Sequence, residues 1–298
     1  MALCPLIGGT IRGEVLANEP LSRHTSLKVG GAADCLVTPL DQADLLLLLA
    51  LLQREQIPYL VIGGGYNLLV RDGGFRGAVI SLGSLTSCQL LENGRLQVEA
   101  GVKNRELVRV ATKAALGGVE FLSGIPGSVG GALAMNAGAH GQAILDRVER
   151  VVTLRDEELL ERLRSDLDYG YRFLTLAPGE VIVSAVLQLE KQAEEEIEAR
   201  IAGYLKHRSA SQQVGYPNAG SFFKNPPEGA AWKFIDEAGL RGHRIGGAQV
   251  SELHSNFLVN RGGASAADFL ALAALIKERV RATSGIELQE EVRIVGEG

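Results

Sequence analysis

Residues 124–141 read GIPGSVGGALAMNAGAHG, eighteen positions holding six glycines and four alanines and no Lys, Arg, Asp or Glu. Glycine admits positive φ where a loop must coil, and small side chains let a ligand approach the backbone closely. A run of exposed N–H groups in such a loop can hold an anion such as a pyrophosphate without a charged side chain. The same composition also suits a tight turn between packed elements. A second glycine cluster upstream, VIGGGYNLLVRDGGFRG at 61–77, and a third spread over 215–263 shift the reading toward a cofactor cradle.

The upstream cluster is not a Rossmann fingerprint. Gly63-Gly64-Gly65 follows an apolar run, but a GxGxxG pattern needs glycine at 68, where Leu68 stands. The loop then leads into Leu-Leu-Val rather than a helix, and about 20 residues on, where an acid would hold a ribose, the chain has Leu85. No Gly-Lys-Ser/Thr occurs, which removes the P-loop. Two glycine loops that each join strands imply a dinucleotide lying extended between β-rich subdomains.

Composition bounds the partners. The 298 residues suffice for about two domains at ~150 residues each. A content of 46% hydrophobic and 22% charged residues is that of a globular chain. The net charge of −5 offers no general attraction to nucleic acid or anionic lipid, so a polyanionic ligand has to be held locally. Three cysteines at wide spacing, without CxxC, argue against a disulfide framework and against a zinc site. The start, MALCPLIGGTIRG, lacks a basic region followed by a long apolar core, so no signal peptide is expected. The longest apolar run, Leu45 to Leu52, falls short of the roughly 20 residues a bilayer span takes. The expected location is the cytoplasm.

Along the chain, a buried helix is predicted from Asp41, with Asp44 completing a capping-box-like start. Residues 58–82 read as strand, glycine turn, short strand, glycine turn, strand. A strand over Gly94 to Gly101 precedes a helix at 105–116, with Leu107, Val110, Ala111 and Ala114 on one stripe. Asn104 is its expected N-cap, and Gly117-Gly118 its stop. Strands at 147–155 and 180–190 enclose a polar stretch that reads as helical and the tripeptide Tyr169-Gly170-Tyr171. A charged helix follows, with Ala193, Ile197, Ile201 and Leu205 on one face. The composition shift near 192–212 is the expected domain boundary. The last helix starts at the capping box Ser265 to Asp268, buries Phe269, Leu272, Ala273, Ile276 and Val280, and leads to a final strand.

Seven separated blocks carry a resemblance: HTSLKVGGAAD (24–34), VIGGGYNLLVRDGGFRG (61–77), GIPGSVGGALAMNAGAHG (124–141), YGYR (169–172), YPNAGSFFKNP (216–226), GLRGHRIGGAQVSELHSNFLVN (239–260) and LQEEVRIVG (288–296). In this order and spacing the chain resembles the UDP-N-acetylenolpyruvoylglucosamine reductase family, flavoenzymes that complete UDP-N-acetylmuramate for peptidoglycan. Its length is similar to the shorter subtype. The resemblance implies an α+β fold: an FAD-binding fold of the vanillyl-alcohol-oxidase type made of subdomains 1–82 and 83–205, and a C-terminal α+β substrate domain, 206–298. NADPH and the UDP-sugar would visit one face of the flavin in turn, so no separate nicotinamide domain is needed. Flavin N5 would give hydride to C3 of the enolpyruvyl group and a protein acid would protonate C2. No obligate protein partner is implied.

Carried over by motif, the catalytic residues are Arg172, Ser221 and Glu291. Ser221 would be the proton donor, Arg172 would pair with the enolpyruvyl carboxylate, and Glu291 would help shift electron density onto it. The sequence pattern alone leaves Glu290 and Glu291 equivalent on a final strand, where alternation groups Gln289, Glu291 and Arg293 against Leu288, Glu290 and Val292. The family pattern has Pro at 290, which makes Glu291 the match. The resemblance assigns the flavin to Gly63, Gly64, Gly65, Asn67, Leu68, Gly124, Gly127, Ser128, Gly131, Asn136 and Gly138, and the substrate to Tyr171, Lys224, Asn225 and Gln249. Departures from the pattern are Tyr66, Phe173, Leu174, Gln213, Glu290 and Leu253. With Leu253 in place of a common Lys, Lys233, Arg241 and Arg244 are candidates for the substrate diphosphate. Related flavin oxidases tether FAD through a histidine; here His140 is expected to cap the loop after Asn136, and the FAD to be noncovalent.

Two other classes compete: a flavin oxidase that uses dioxygen on an alcohol, and a nucleotide-binding module without chemistry. Arg172, Ser221 and Glu291 speak against the second, since a pure binder needs no acid aimed at carbon.

Overall fold

The computed structural model describes residues 3–212 and 214–298, so Gln213 lies outside the described residues. The chain forms two compact units, and each is built from separated segments. The first comprises 1–17, 35–64 and 77–208; the second comprises 18–34, 65–76 and 209–298. The sequence reading drew three consecutive stretches. The contacts instead group most of 1–205 together and return 18–34 and 65–76 to the C-terminal part, because apolar residues of those segments (Leu27, Val29, Leu69) pack into its core. Among the described residues no helix is long and apolar enough to cross a membrane.

The first unit is organised by an antiparallel sheet in the order Glu158–Leu163, Val148–Arg155, Val181–Gln188, Arg95–Glu99, Cys88–Leu90. Its central strand, VIVSAVLQ, is buried at seven consecutive positions, the run expected of a strand covered on both faces. The helix Asn104–Lys113 and the short helix Val129–Ala134 pack on it through Leu107, Val108, Ala111, Val129, Ala132 and Leu133. A second core joins the Gln42–Arg54 helix to the parallel pair Tyr59–Ile62 and Phe75–Ser81, with Leu45, Leu48 and Leu52 against Ala78 and Ile80.

Several local expectations change. The stretch after Arg155 is not helical: Glu158–Leu163 is a strand paired with Val148–Arg155 from Arg155↔Glu158 to Arg150↔Leu163. The turn, Asp156-Glu157, takes φ of 50° and 65°, a two-residue hairpin turn usually signalled by Gly or Asn, and pairing then overrides the helix-forming composition. Asn104 is the first helical residue rather than the cap; its buried side chain donates to the Ile125 carbonyl at 3.0 Å. That helix stops at Lys113 because Ala115 takes φ 53°, while Leu116–Gly117 pairs with Glu190–Lys191. Asp41 caps the Gln42–Arg54 helix as expected. Asp44, however, turns away to accept the N–H groups of Arg12, Gly13 and Leu40. In the charged helix Glu194–Gln212, Ile197 is buried and Leu205 is exposed.

The second unit has a four-stranded antiparallel sheet ordered Asn218–Ser221, Phe257–Asn260, Ala248–Val250, Arg244–Ile245. The helix Ala266–Ser284 begins with the predicted capping box between Ser265 and Asp268 and ends at Gly285, whose φ of 74° only glycine adopts freely. It buries the five predicted residues, each large side chain stabilising by about 1.5–3 kcal/mol on leaving water. The final strand, Arg293–Val295, pairs in parallel with Leu68–Val70.

Candidate active site

In the first unit the two glycine clusters meet. A Cβ built on Gly63 would lie 2.6 Å from Ser128 Oγ and 4.0 Å from Gly131 Cα. Gly63 and Gly131 are both exposed and the buried Ser128 sets its hydroxyl between them. The Val129 and Gly130 N–H groups do not face outward, which corrects part of the anion-nest reading: they donate to the Val102 and Ala100 carbonyls, each at 2.8 Å. Gly127 has φ 120° and its carbonyl accepts the Asn104 N–H at 3.0 Å, while the Gly124 carbonyl accepts from the Arg208 guanidinium. Gly64 closes this unit's share of the upstream loop.

Asn136 is buried and spends both ends of its amide inside the protein, donating to the Gly170 carbonyl at 2.9 Å and accepting the Leu145 N–H at 3.2 Å. It thereby anchors the hairpin Tyr169–Gly170/Phe173–Leu174, whose tip is Tyr171-Arg172. Arg172 has φ 66°, donates from Nη1 to the Gly138 carbonyl at 3.2 Å, and lies 5.4 Å from the exposed Tyr171 ring. Phe173, one of the departures from the resembled pattern, lays its ring over Gly170, where a Cβ would meet it at 2.5 Å. His140 does not cap the loop after Asn136. It sits at a hairpin tip with φ 55°, and its ring stacks on Tyr204 at 4.2 Å between centroids.

In the second unit, Gly65 has φ 65° and a Cβ there would come within 2.0 Å of the His24 carbonyl. Asn67 and the buried Leu68 follow. Asn67 Nδ2 donates to the Glu291 carbonyl at 3.0 Å, its own carbonyl accepts the Arg293 N–H at 3.0 Å, and Leu68 pairs with Arg293. The half-buried Ser221 ends the strand Asn218–Ser221, opposite Phe257. The next residue joins it to the acid: the Phe222 carbonyl accepts the Glu291 N–H at 2.8 Å, and the Lys224 N–H donates to the Gln289 carbonyl at 2.8 Å. Glu291 thus lies before the final strand, which begins only at Arg293. It sits instead in a short ladder against Phe222–Lys224, centred on the bridge Phe223↔Glu290. Asn225 Oδ1 accepts the Ala231 N–H at 3.0 Å, and Gln249 Nε2 donates to the Gly242 carbonyl at 2.9 Å.

Of the cations considered for a diphosphate, Arg241 holds Asp236 and the Glu252 carbonyl, and Arg244 Nε donates to the Gly246 carbonyl. Lys233 lies 5.7 Å from the Trp232 ring, and Leu253 is exposed. Burial pushes the His254 imidazole below its ordinary range, which keeps this ring, 4.5 Å from Phe257, neutral at neutral pH.

Residues 33–161 match the model of an FAD binding domain, and residues 212–295 match that of the UDP-N-acetylenolpyruvoylglucosamine reductase C-terminal domain. The enzyme of that name from Geobacter metallireducens is 65% identical over 96% of this chain and 96% of its own. The one from Heliobacterium modesticaldum is 47% identical over 96% and 92%. The solved structure of the Thermus caldophilus enzyme aligns with a TM-score of 0.81 at 35% identity, covering 95% of this chain and 99% of that one. The chain belongs to the UDP-N-acetylenolpyruvoylglucosamine reductase family.

Family membership makes it an FAD-dependent oxidoreductase with the FAD-binding α+β fold expected from its blocks. The residues present suit that cofactor: Gly63 and Gly131 expose backbone beside the Ser128 hydroxyl, where a ligand can approach the main chain closely.

Two supporting residues escaped the sequence reading. Asn256, buried, clamps the strand after Ser221. Its Oδ1 accepts the Phe223 N–H at 2.9 Å, its Nδ2 donates to the Phe223 carbonyl at 2.8 Å, and its carbonyl takes the Phe222 N–H. Asp72 accepts the Ala266 and Ala267 N–H groups at 2.8 and 2.9 Å, capping the Ala266–Ser284 helix from a distant segment. Both lie in quoted blocks, but only the fold reveals what they hold.

Proposed function

We propose that this protein reduces UDP-N-acetylenolpyruvoylglucosamine to UDP-N-acetylmuramate in peptidoglycan precursor synthesis, with NADPH as reductant, as a cytoplasmic enzyme that needs no obligate protein partner. Bound noncovalently, FAD supplies the two-electron relay between NADPH and the enolpyruvyl double bond. Gly63, Gly64, Gly65, Asn67, Leu68, Gly124, Gly127, Ser128, Gly131, Asn136 and Gly138 would hold it. Ser221 delivers the proton to C2 of the enolpyruvyl group. A hydroxyl is a weak acid, so it serves only against a strongly basic carbon centre. Arg172 pairs with the substrate carboxylate, and a guanidinium fork fixes orientation as well as charge. Glu291 favours the build-up of charge on that carboxylate, and Tyr171, Lys224, Asn225 and Gln249 bind the sugar nucleotide.

The observation that supports this reading is the backbone hydrogen bond from the Glu291 N–H to the carbonyl of Phe222, the residue that follows Ser221. The test is anaerobic stopped-flow of the flavin. NADPH should bleach it, and the enolpyruvyl sugar nucleotide should restore its colour. Bleaching without restoration by that substrate would overturn the assignment.

A further inference from the structure

We infer that Lys277 and Glu290 form a positioning pair that holds Glu291 in its catalytic aim, an inference that rests on the catalytic reading of Glu291. Residues 289–291 run against Phe222–Lys224 through the bridge Phe223↔Glu290, so Glu290 points to the face opposite Gln289 and Glu291. One face carries Leu288 and Val292, exposed by only 2% and 3% in the core shared with Phe269, Ile276 and Val280. Glu290 falls on that face between them. Its side chain is 28% exposed at the edge of that core, within reach of a cation on the neighbouring helix. Lys277, on the Ala266–Ser284 helix, supplies one: its Nζ lies 3.0 Å from Glu290 Oε1 and 3.3 Å from Oε2. The other face carries Gln289 and Glu291. The ion pair therefore fixes which of two adjacent carboxylates turns toward the helix and which turns away.

The backbone explains why the family pattern can carry Pro at this position. The ladder bonds flank residue 290: Lys224 N–H reaches the Gln289 carbonyl, and Glu291 N–H reaches the Phe222 carbonyl. Position 290 is the non-hydrogen-bonded member of the pair, so its own N–H is not needed and proline fits. Proline holds the segment by its fixed φ and by apolar packing. Glutamate gives up both, and Lys277 restores the anchorage through charge. With Lys277 removed, nothing holds the partly exposed Glu290 carboxylate toward the helix, and it turns further into water. That rotation pulls residues 289–291 off the Phe222–Lys224 strand and carries Glu291 with them.

The test compares K277M, E290P, the double variant K277M/E290P and E291Q in both flavin half-reactions of the holoenzyme. K277M should slow reoxidation by the enolpyruvyl sugar nucleotide about tenfold or more, since small misplacements of reacting groups are expensive. It should leave reduction by NADPH within twofold and the thermal midpoint within about 3 °C, as fits a half-exposed pair. E290P and the double variant should both run near the parent rate, because proline makes Lys277 dispensable. A slow E291Q together with an unimpaired K277M, or a double variant as slow as K277M, would overturn the positioning role alone. An E291Q that reoxidises at the parent rate would overturn the catalytic reading of Glu291 and this inference with it.

Discussion

Asn67 and Glu291 are joined by a hydrogen bond from the amide of one to the carbonyl of the other, at 3.0 Å across 224 residues of sequence. The Asn67 carbonyl takes the Arg293 N–H at the same distance, so the loop assigned to the flavin and the segment bearing the acid share one backbone ladder. Replacing Asn67 by Ala should therefore do two things at once: weaken FAD retention and slow flavin reoxidation by substrate. A variant that loses only FAD, and reoxidises normally when saturated with it, would refute the shared-ladder account.

Ser221→Ala removes the proposed proton donor while leaving the strand clamp by Asn256 in place. Reduction of the flavin by NADPH should stay near the parent rate, and reoxidation by the enolpyruvyl sugar nucleotide should fall by roughly 10²–10⁴-fold. Equal slowing of both half-reactions would contradict the assignment.

Arg172→Lys keeps the charge and loses the planar fork. We expect KM for the sugar nucleotide to rise about tenfold or more, with flavin reduction by NADPH unaffected. Steady-state kinetics against each substrate in turn separates the two effects, and an unchanged KM would exclude Arg172 from carboxylate binding.

Gly63→Ala places a methyl group against Ser128 Oγ, 2.6 Å from where the carbon would sit. The purified variant should carry less flavin per protein than the parent, read from the ratio of flavin to protein absorbance. Full flavin content would mean that the Gly63 backbone needs no such clearance.

Asp44→Asn tests the fold rather than the site. The Asp44 carboxylate, fully buried, accepts N–H groups from Arg12, Gly13 and Leu40 at 2.8–2.9 Å. Burial alone would push the carboxyl up. The three N–H donors and the Arg12 guanidinium more than offset this and hold it below the usual carboxylate range. A group with a lowered folded pKa adds stability that is complete above its unfolded pKa of about 3.9 and is lost as pH falls through the lower folded value. The variant should lose roughly 2–3 kcal/mol at neutral pH by urea unfolding, with the gap to the parent closing below about pH 4. A gap that widened on acidification would contradict this sign.

Sequence alone determined the strand–turn–strand–turn–strand run at 58–82, the Ser265–Asp268 cap and the buried stripe of the Ala266–Ser284 helix, because period, capping and turn residues are local signals. It also determined the family, because seven motif blocks in order carry far more information than any one. It misread Glu158–Leu163, whose strand state comes from pairing with Val148–Arg155 and not from its own propensity. It could not choose between Glu290 and Glu291, nor see that Asp72 caps a helix 194 residues away in sequence. Those outcomes depend on partners distant along the chain. A side chain's role is set by the group it meets, and only the folded backbone brings Lys277 to Glu290 and Phe222 to Glu291.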